Sequence, residues 1–123
     1  MKLIIAGGRD FEDLTLALTE FYDFSSEMNV NLSKSNPFKE IVSGGARGAD
    51  RIGEKIAEIN KIPVKQFIPD WSGLGKRAGF VRNAEMAEYA DAALIFWDGE
   101  SKGSAHTIKL AQDKGLFVRV VRY

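Results

Sequence analysis

Short, almost continuous apolar runs recur along the chain, separated by longer stretches in which apolar and polar positions alternate with a helical period. Residues 3–6, 40–43, 64–68, 92–96 and 117–121 have the length and the β-branched or aromatic content of strands. The first and fourth runs are apolar nearly throughout, the pattern of strands buried on both faces. Between them Leu14, Leu18, Phe21 and Tyr22 fall on one helical face, as do Ile52, Ile56 and Ile59. Met86, Tyr89 and Ala90 follow the same spacing, as do Ile108 and Ala111, and Gly115 after Lys114 reads as a helix stop. Residues 29–38 are polar and irregular, which predicts a surface loop lengthening the first crossover.

Strands that alternate with helices predict one parallel sheet with helices on both faces, joined by right-handed crossovers. The expected architecture is a Rossmann-like three-layer α/β sandwich, strand order 3-2-1-4-5, forming a single domain over residues 1–123. Its topological switch lies between the first and fourth strands. A chain of 123 residues, 45% hydrophobic and 28% charged, fits one such domain with one core.

Charge and cysteine content narrow the partners. Seventeen basic residues balance 17 acidic ones, which makes a dedicated nucleic-acid surface an unfavoured expectation. The absence of cysteine removes disulfides and thiolate metal sites and suits a reducing compartment. No apolar run approaches the roughly 18 residues of a membrane span. The expectation is a soluble, cytoplasmic protein. His106 is the only histidine and lacks partners at metal-ligand spacing, so neither a metal nor another cofactor is expected.

Candidate chemistry collects where strands end. The first strand runs into Gly7-Gly8-Arg9-Asp10, the second into Ser43-Gly44-Gly45-Ala46-Arg47-Gly48-Ala49-Asp50, and the fourth into Trp97-Asp98-Gly99-Glu100-Ser101-Lys102-Gly103-Ser104. In a parallel sheet these loops share one edge, where glycine lets a phosphate approach the backbone and helix N-termini offer free N–H groups. Neither the G-x-G-x-x-G fingerprint after strand one nor the G-x-x-x-x-G-K-[ST] loop is present, which argues against a nicotinamide dinucleotide and an ordinary ATPase.

Arg9 and Arg47 suit phosphate oxygens, the alternative being surface ion pairs with Asp10 or Asp50. Asp50 and Asp10 read as caps of the helices that follow. Arg82 near a helix start opposes the helix dipole, which suggests an anion nearby. Ser101 and Ser104 can cap a helix or donate to phosphate. Trp71 in its glycine-rich loop can stack on a base or plug the surface, and Trp97 reads as a wall of the pocket.

These loops resemble the SLOG superfamily, which includes LOG-type phosphoribohydrolases and the DNA-processing protein A, and within it the small bacterial and phage branch related to YpsA. Gly7-Gly8-Arg9-Asp10, the stretch from Ser43 to Asp50, Arg82-Asn83 and Trp97-Asp98-Gly99 carry the resemblance together. It implies that Arg82 stands at the phosphoribohydrolases' catalytic arginine, with Asn83 in place of their lysine. Gly103-Ser104 keeps their phosphate-facing pair, whereas Thr107 stands where they carry a glutamate.

The resulting expectation is a nucleotide-derived ligand, a nucleotide or an ADP-ribose-like molecule, bound by a sensor, sponge or weak hydrolase. Its binding set is Gly7, Gly8, Arg9, Ser43, Gly44, Gly45, Arg47, Trp71, Arg82, Asn83, Asp98, Gly99, Ser101, Gly103 and Ser104. Catalysis, if present, would use Arg82 with Glu100 or Asp98 replacing the missing glutamate. An active nucleoside-monophosphate phosphoribohydrolase and a single-stranded nucleic-acid module are the alternatives. The resemblance also implies pairing of chains into a homodimer or higher homo-oligomer.

Overall fold

A computed structural model of the chain describes residues 1–29 and 36–123. Five strands, β1 (Lys2–Gly7), β2 (Glu40–Ser43), β3 (Val64–Gln66), β4 (Ala92–Trp97) and β5 (Phe117–Arg122), form one sheet in the order β3-β2-β1-β4-β5. Every neighbouring pair is parallel. The helices are α1 (Leu14–Met28), α2 (Ala49–Asn60), a short α3 (Trp71–Leu74), α4 (Ala78–Tyr89) and α5 (Lys102–Asp113), with a 3₁₀ turn, Gly75–Arg77, leading into α4.

Side-chain alternation along the strands builds two cores. Leu3, Ile5, Leu94 and Phe96 point to one face, where they pack with Ala17, Phe21 and Phe24 of α1 and Ile52 and Ile56 of α2. Ile4, Ala6, Ala93 and Ile95 point to the other and meet Met86 of α4 and Ala111 of α5. Burial on both sides explains why β1 and β4 read as unbroken apolar runs. The Rossmann-like α/β fold and the strand order are those the sequence pattern predicts.

Four local features differ from the sequence expectation. The third strand stops at Gln66 rather than residue 68: Phe67 N–H still bonds the Ser43 carbonyl at 2.8 Å, but the chain then turns away through Ile68-Pro69. The loop after it contains α3, whose first turn is capped by Asp70 accepting from Gly73 N–H at 2.9 Å. Asp13, not Asp10, caps α1, accepting from Leu16 N–H at 3.0 Å. The stretch expected to be a polar surface loop ends in a core residue, because Phe38 is buried against Phe21 and Phe24, with ring centroids at 5.9 and 5.3 Å. Residues 30–35 of that stretch lie outside the described residues. Among the described residues no helix is long and apolar enough to cross a membrane.

Candidate functional site

The chain leaves β1 toward β2 and leaves β4 toward β5, so the loops after these two adjacent strands diverge and open a crevice at the carboxyl edge. A cleft of about 500 Å³ occupies this position. Gly7, Gly8 and Arg9 at the end of β1, Arg47 after β2, Arg82 and Asn83 from α4, and Asp98, Ser101, Gly103 and Ser104 around the start of α5 all line it. Four separate stretches of sequence therefore meet in one cavity.

The second loop is held by its own polar groups. Ser43 is fully buried; its hydroxyl donates to Glu54 Oε2 at 2.7 Å and accepts from Gly45 N–H at 3.1 Å. Ser43 thus shapes the loop without lining the cleft. Glu54 also accepts from Gln66 Nε2 at 2.8 Å, which ties the loop to β3. Gly44 lies where two charged side chains converge. A Cβ there would stand 2.8 Å from both the Arg82 Cζ and the Asp50 Oδ2, so any other residue would have to displace these two side chains.

Arg82 occupies the second turn of α4. Its Nη1 donates to the Gly44 carbonyl at 2.7 Å and its Nε to Asn83 Oδ1 at 2.9 Å. Both acceptors are neutral. Arg9 and Arg47 are exposed and meet no hydrogen-bonding or ion-pair partner among the described residues. The ion-pair alternative for these two arginines does not form: Asp10 Oδ1 instead accepts from the Tyr123 hydroxyl at 2.5 Å, and Asp50 Oδ2 accepts from Ala46 N–H at 3.1 Å. By contrast, Arg119 on β5 is matched by Glu20, Asp23 and Glu27 of α1. Three arginines and three aspartates, Asp10, Asp50 and Asp98, line the cleft together.

Asp50, which the sequence presents as a helix cap, lines the cleft and is only 6% exposed. Burial raises its pKa from 3.8 to about 6, against the Ala46 N–H bond and the Arg82 charge, which lower it. Asp98 is shifted the other way. Its Oδ1 accepts from Ser101 N–H at 2.8 Å and Glu100 N–H at 2.9 Å, and these bonds hold its carboxyl below the usual range. One cavity therefore contains two carboxyls shifted in opposite directions, Asp50 upward by burial and Asp98 downward by its hydrogen bonds. Burial also lowers the Arg82 pKa, opposed by Asp50.

The remaining candidates divide. Thr107 lines the cleft, with its hydroxyl donating to the Gly103 carbonyl at 3.1 Å, so the side chain at this position faces the cavity. Ser101 caps α5 with a long bond of 3.5 Å from Ser104 N–H. Glu100 is exposed, and neither it nor Gly99 lines the cleft, because the Asp98 turn directs both away. Trp97 does not line it either. Its Nε1 donates to the Ser101 carbonyl at 3.0 Å, and the Arg122 guanidinium covers its ring at 5.3 Å. Gly44, Gly45 and Trp71 line a second, adjoining cleft. Among the described residues, no group of three or more His, Asp or Glu is placed to hold a metal.

Fold and site define a Rossmann-like domain with an arginine-lined cleft at its topological switch point. The chain belongs to the YspA, cpYpsA-related SLOG family (YAcAr), whose family model matches residues 1–73. It is 33% identical over 121 residues to the "Gene 61 protein" of Mycobacterium phage D29, covering 94% of this chain and 91% of that one. No solved structure matches the chain.

Proposed function

We propose that the cleft binds a nucleotide-derived ligand through its phosphate, as a sensor, a sponge or a weak hydrolase. The observation that carries this reading is the convergence of Arg9, Arg47 and Arg82, none in an ion pair among the described residues, on one cavity of a chain whose net charge is zero. Exposed arginines in ordinary surfaces find carboxylates readily, and this chain has 17. Guanidiniums around a concavity that no carboxylate pairs directly are suited to an anion from outside. Gly103 adds support. It lies in the first turn of α5, and a Cβ there would meet nothing within 4 Å. Packing does not require this glycine, whereas a ligand lying against the first turn of α5 would.

Removing Arg82 tests the reading. Arg82→Ala is expected to weaken binding of AMP by about 1.5–3 kcal/mol, the scale of a charge-assisted hydrogen bond. Isothermal titration of both proteins measures this, with a melting curve to verify the fold. An unchanged Kd for AMP would remove the site.

The opposed shifts at Asp50 and Asp98 favour a second reading, hydrolysis of an N-glycosidic bond. Paired carboxyls with separated pKa values are the usual arrangement for a proton donor beside a charged partner. Thr107 then leaves the carboxylate role to Asp98. On this reading wild type releases free base from nucleoside monophosphates, Asp98→Asn abolishes release, and Glu100→Gln, outside the cleft, leaves it unchanged. Chromatography of the products separates the two readings: ligand retained intact by wild type excludes hydrolysis.

A further inference from the structure

Arg9 and Asp10 are neighbours in the chain, both are exposed and both line the cleft, yet among the described residues no ion pair joins them. Opposite charges so placed attract one another unless something else engages one of the two. Asp10 is engaged by Tyr123, 113 residues away, whose hydroxyl donates to Asp10 Oδ1 at 2.5 Å. A hydroxyl bond of this length to a carboxylate is of the strong, charge-assisted kind. Tyr123 itself does not line the cleft, so whatever it does there it does through Asp10.

The ring of Tyr123 is placed by contacts that do not involve its hydroxyl. Its backbone N–H donates to the Trp97 carbonyl at 3.2 Å, and its ring lies tilted against that of Phe11, centroids 4.9 Å apart. Phe11 is buried and stacks in turn on Phe96 at 4.3 Å. The loop after β1 leaves room for the hydroxyl, since a Cβ on Gly8 would stand 1.7 Å from it. Any side chain at position 8 would therefore displace the phenol from Asp10. Burial, followed by the Asp10 bond, pushes the Tyr123 pKa up to about 12, so the hydroxyl keeps its proton and remains the donor.

Resting on the anion-binding reading of the cleft, we propose that Tyr123 is a positioning residue: its hydroxyl holds the Asp10 carboxylate away from Arg9 and so leaves that guanidinium open to an anion. Without the hydroxyl, Asp10 turns to the guanidinium beside it, and a ligand must break this new pair before it can use Arg9. The end of β5, the outer strand of the sheet, thereby acts on a cleft that opens between β1 and β4.

The test compares wild type, Tyr123→Phe and the double variant Tyr123→Phe/Asp10→Asn. Tyr123→Phe removes the hydroxyl and keeps the ring contact with Phe11, so the fold is expected to persist, which a melting curve verifies. The first readout needs no ligand: the rate at which phenylglyoxal modifies Arg9, followed by mass spectrometry of the peptide that carries it. That rate should fall about two- to fivefold in Tyr123→Phe, the range of one exposed ion pair. The second readout is the Kd for AMP by titration calorimetry, which should rise by a similar factor. The double variant should restore both, because a neutral amide at position 10 has no charge to offer Arg9, whereas a loosened loop would stay loosened. The inference is overturned if Tyr123→Phe leaves the Arg9 rate at the wild-type value, or if the double variant remains as impaired as the single one. Where wild type binds AMP, an unchanged Kd in Tyr123→Phe overturns it equally, and the cleft then remains an anion site without this device. Wild type that binds no AMP ends the nucleotide reading, and the modification rates alone then decide whether Tyr123 keeps Asp10 off Arg9.

Discussion

Gly48→Ala is expected to cost about 3 kcal/mol or more of folding stability, a large fraction of what holds a small domain together. Gly48 has φ 79° and ψ −129°, a region essentially reserved for glycine. A Cβ there would overlap the Gly8 carbonyl oxygen and lie within 2.6 Å of the Arg9 Cα. These are backbone atoms, so no side chain can swing aside. The Gly8 carbonyl also accepts from Ala49 N–H at 3.1 Å and Phe11 N–H at 3.2 Å, so displacing it disturbs both loops of the cleft at once. Gly103→Ala is the matched comparison. Its Cβ enters open space inside a helix, and the expected change is a gain of less than about 1 kcal/mol. Urea midpoints at constant m-value measure both. A Gly48→Ala protein within 1 kcal/mol of wild type would show that the two loops are not locked together as the geometry requires.

The sheet was legible because its apolar periodicity is clean. Residues 3–6 and 92–96 have no polar member, which only a doubly covered central strand tolerates, and that placed β1 and β4 side by side. Features set by contacts between distant segments were not legible. Phe38 sits in a polar stretch, and nothing local indicates that the α1 aromatics receive it. Asp10 and Asp13 are equally good caps by composition, and the choice is made by the Tyr123 hydroxyl, which engages Asp10. Glu100 and Asp98 are neighbours in sequence, yet the turn that fixes Asp98 on two backbone N–H groups directs Glu100 outward. The glycine loops after β1 and β2 and the loop before α5 do meet around one cleft at the carboxyl edge of the sheet. They could not show that Trp71 opens a separate chamber, since that depends on where α3 and α4 stand relative to β2.

Asp50 is the sharpest case of a residue whose local reading hides its place in the molecule. A carboxylate in the first turn of α2 is ordinarily stabilising, and the sequence offers no reason to look further. Arg82 and Met86 of α4 line the same cleft, and enclosure there takes the carboxyl out of water. With its pKa raised from 3.8 to about 6, the native state holds this proton more tightly than the unfolded chain does. Between about pH 4 and 6 the native state therefore binds more protons, and stability falls as pH rises. The contribution is fully present below the unfolded value and is lost as pH passes through the folded one. At about 1.4 kcal/mol for each tenfold change in proton affinity, ionised Asp50 costs the fold up to roughly 3 kcal/mol at pH 8. Asp50→Asn should recover part of this, because the amide oxygen can still accept from Ala46 N–H while the buried charge is gone. The variant is expected to be more stable than wild type at pH 8, equal to it near pH 4, and without the intervening slope. It should also bind AMP more tightly at pH 8, since Arg82 and Arg9 no longer share their charge with a carboxylate. Chemical denaturation at a series of pH values decides the matter. A variant less stable than wild type at pH 8 would mean that the attraction between Asp50 and Arg82 exceeds the cost of burial. On the function proposed above, a carboxyl buried in this arginine-lined cavity would be kept for the ligand, because packing alone would favour the amide.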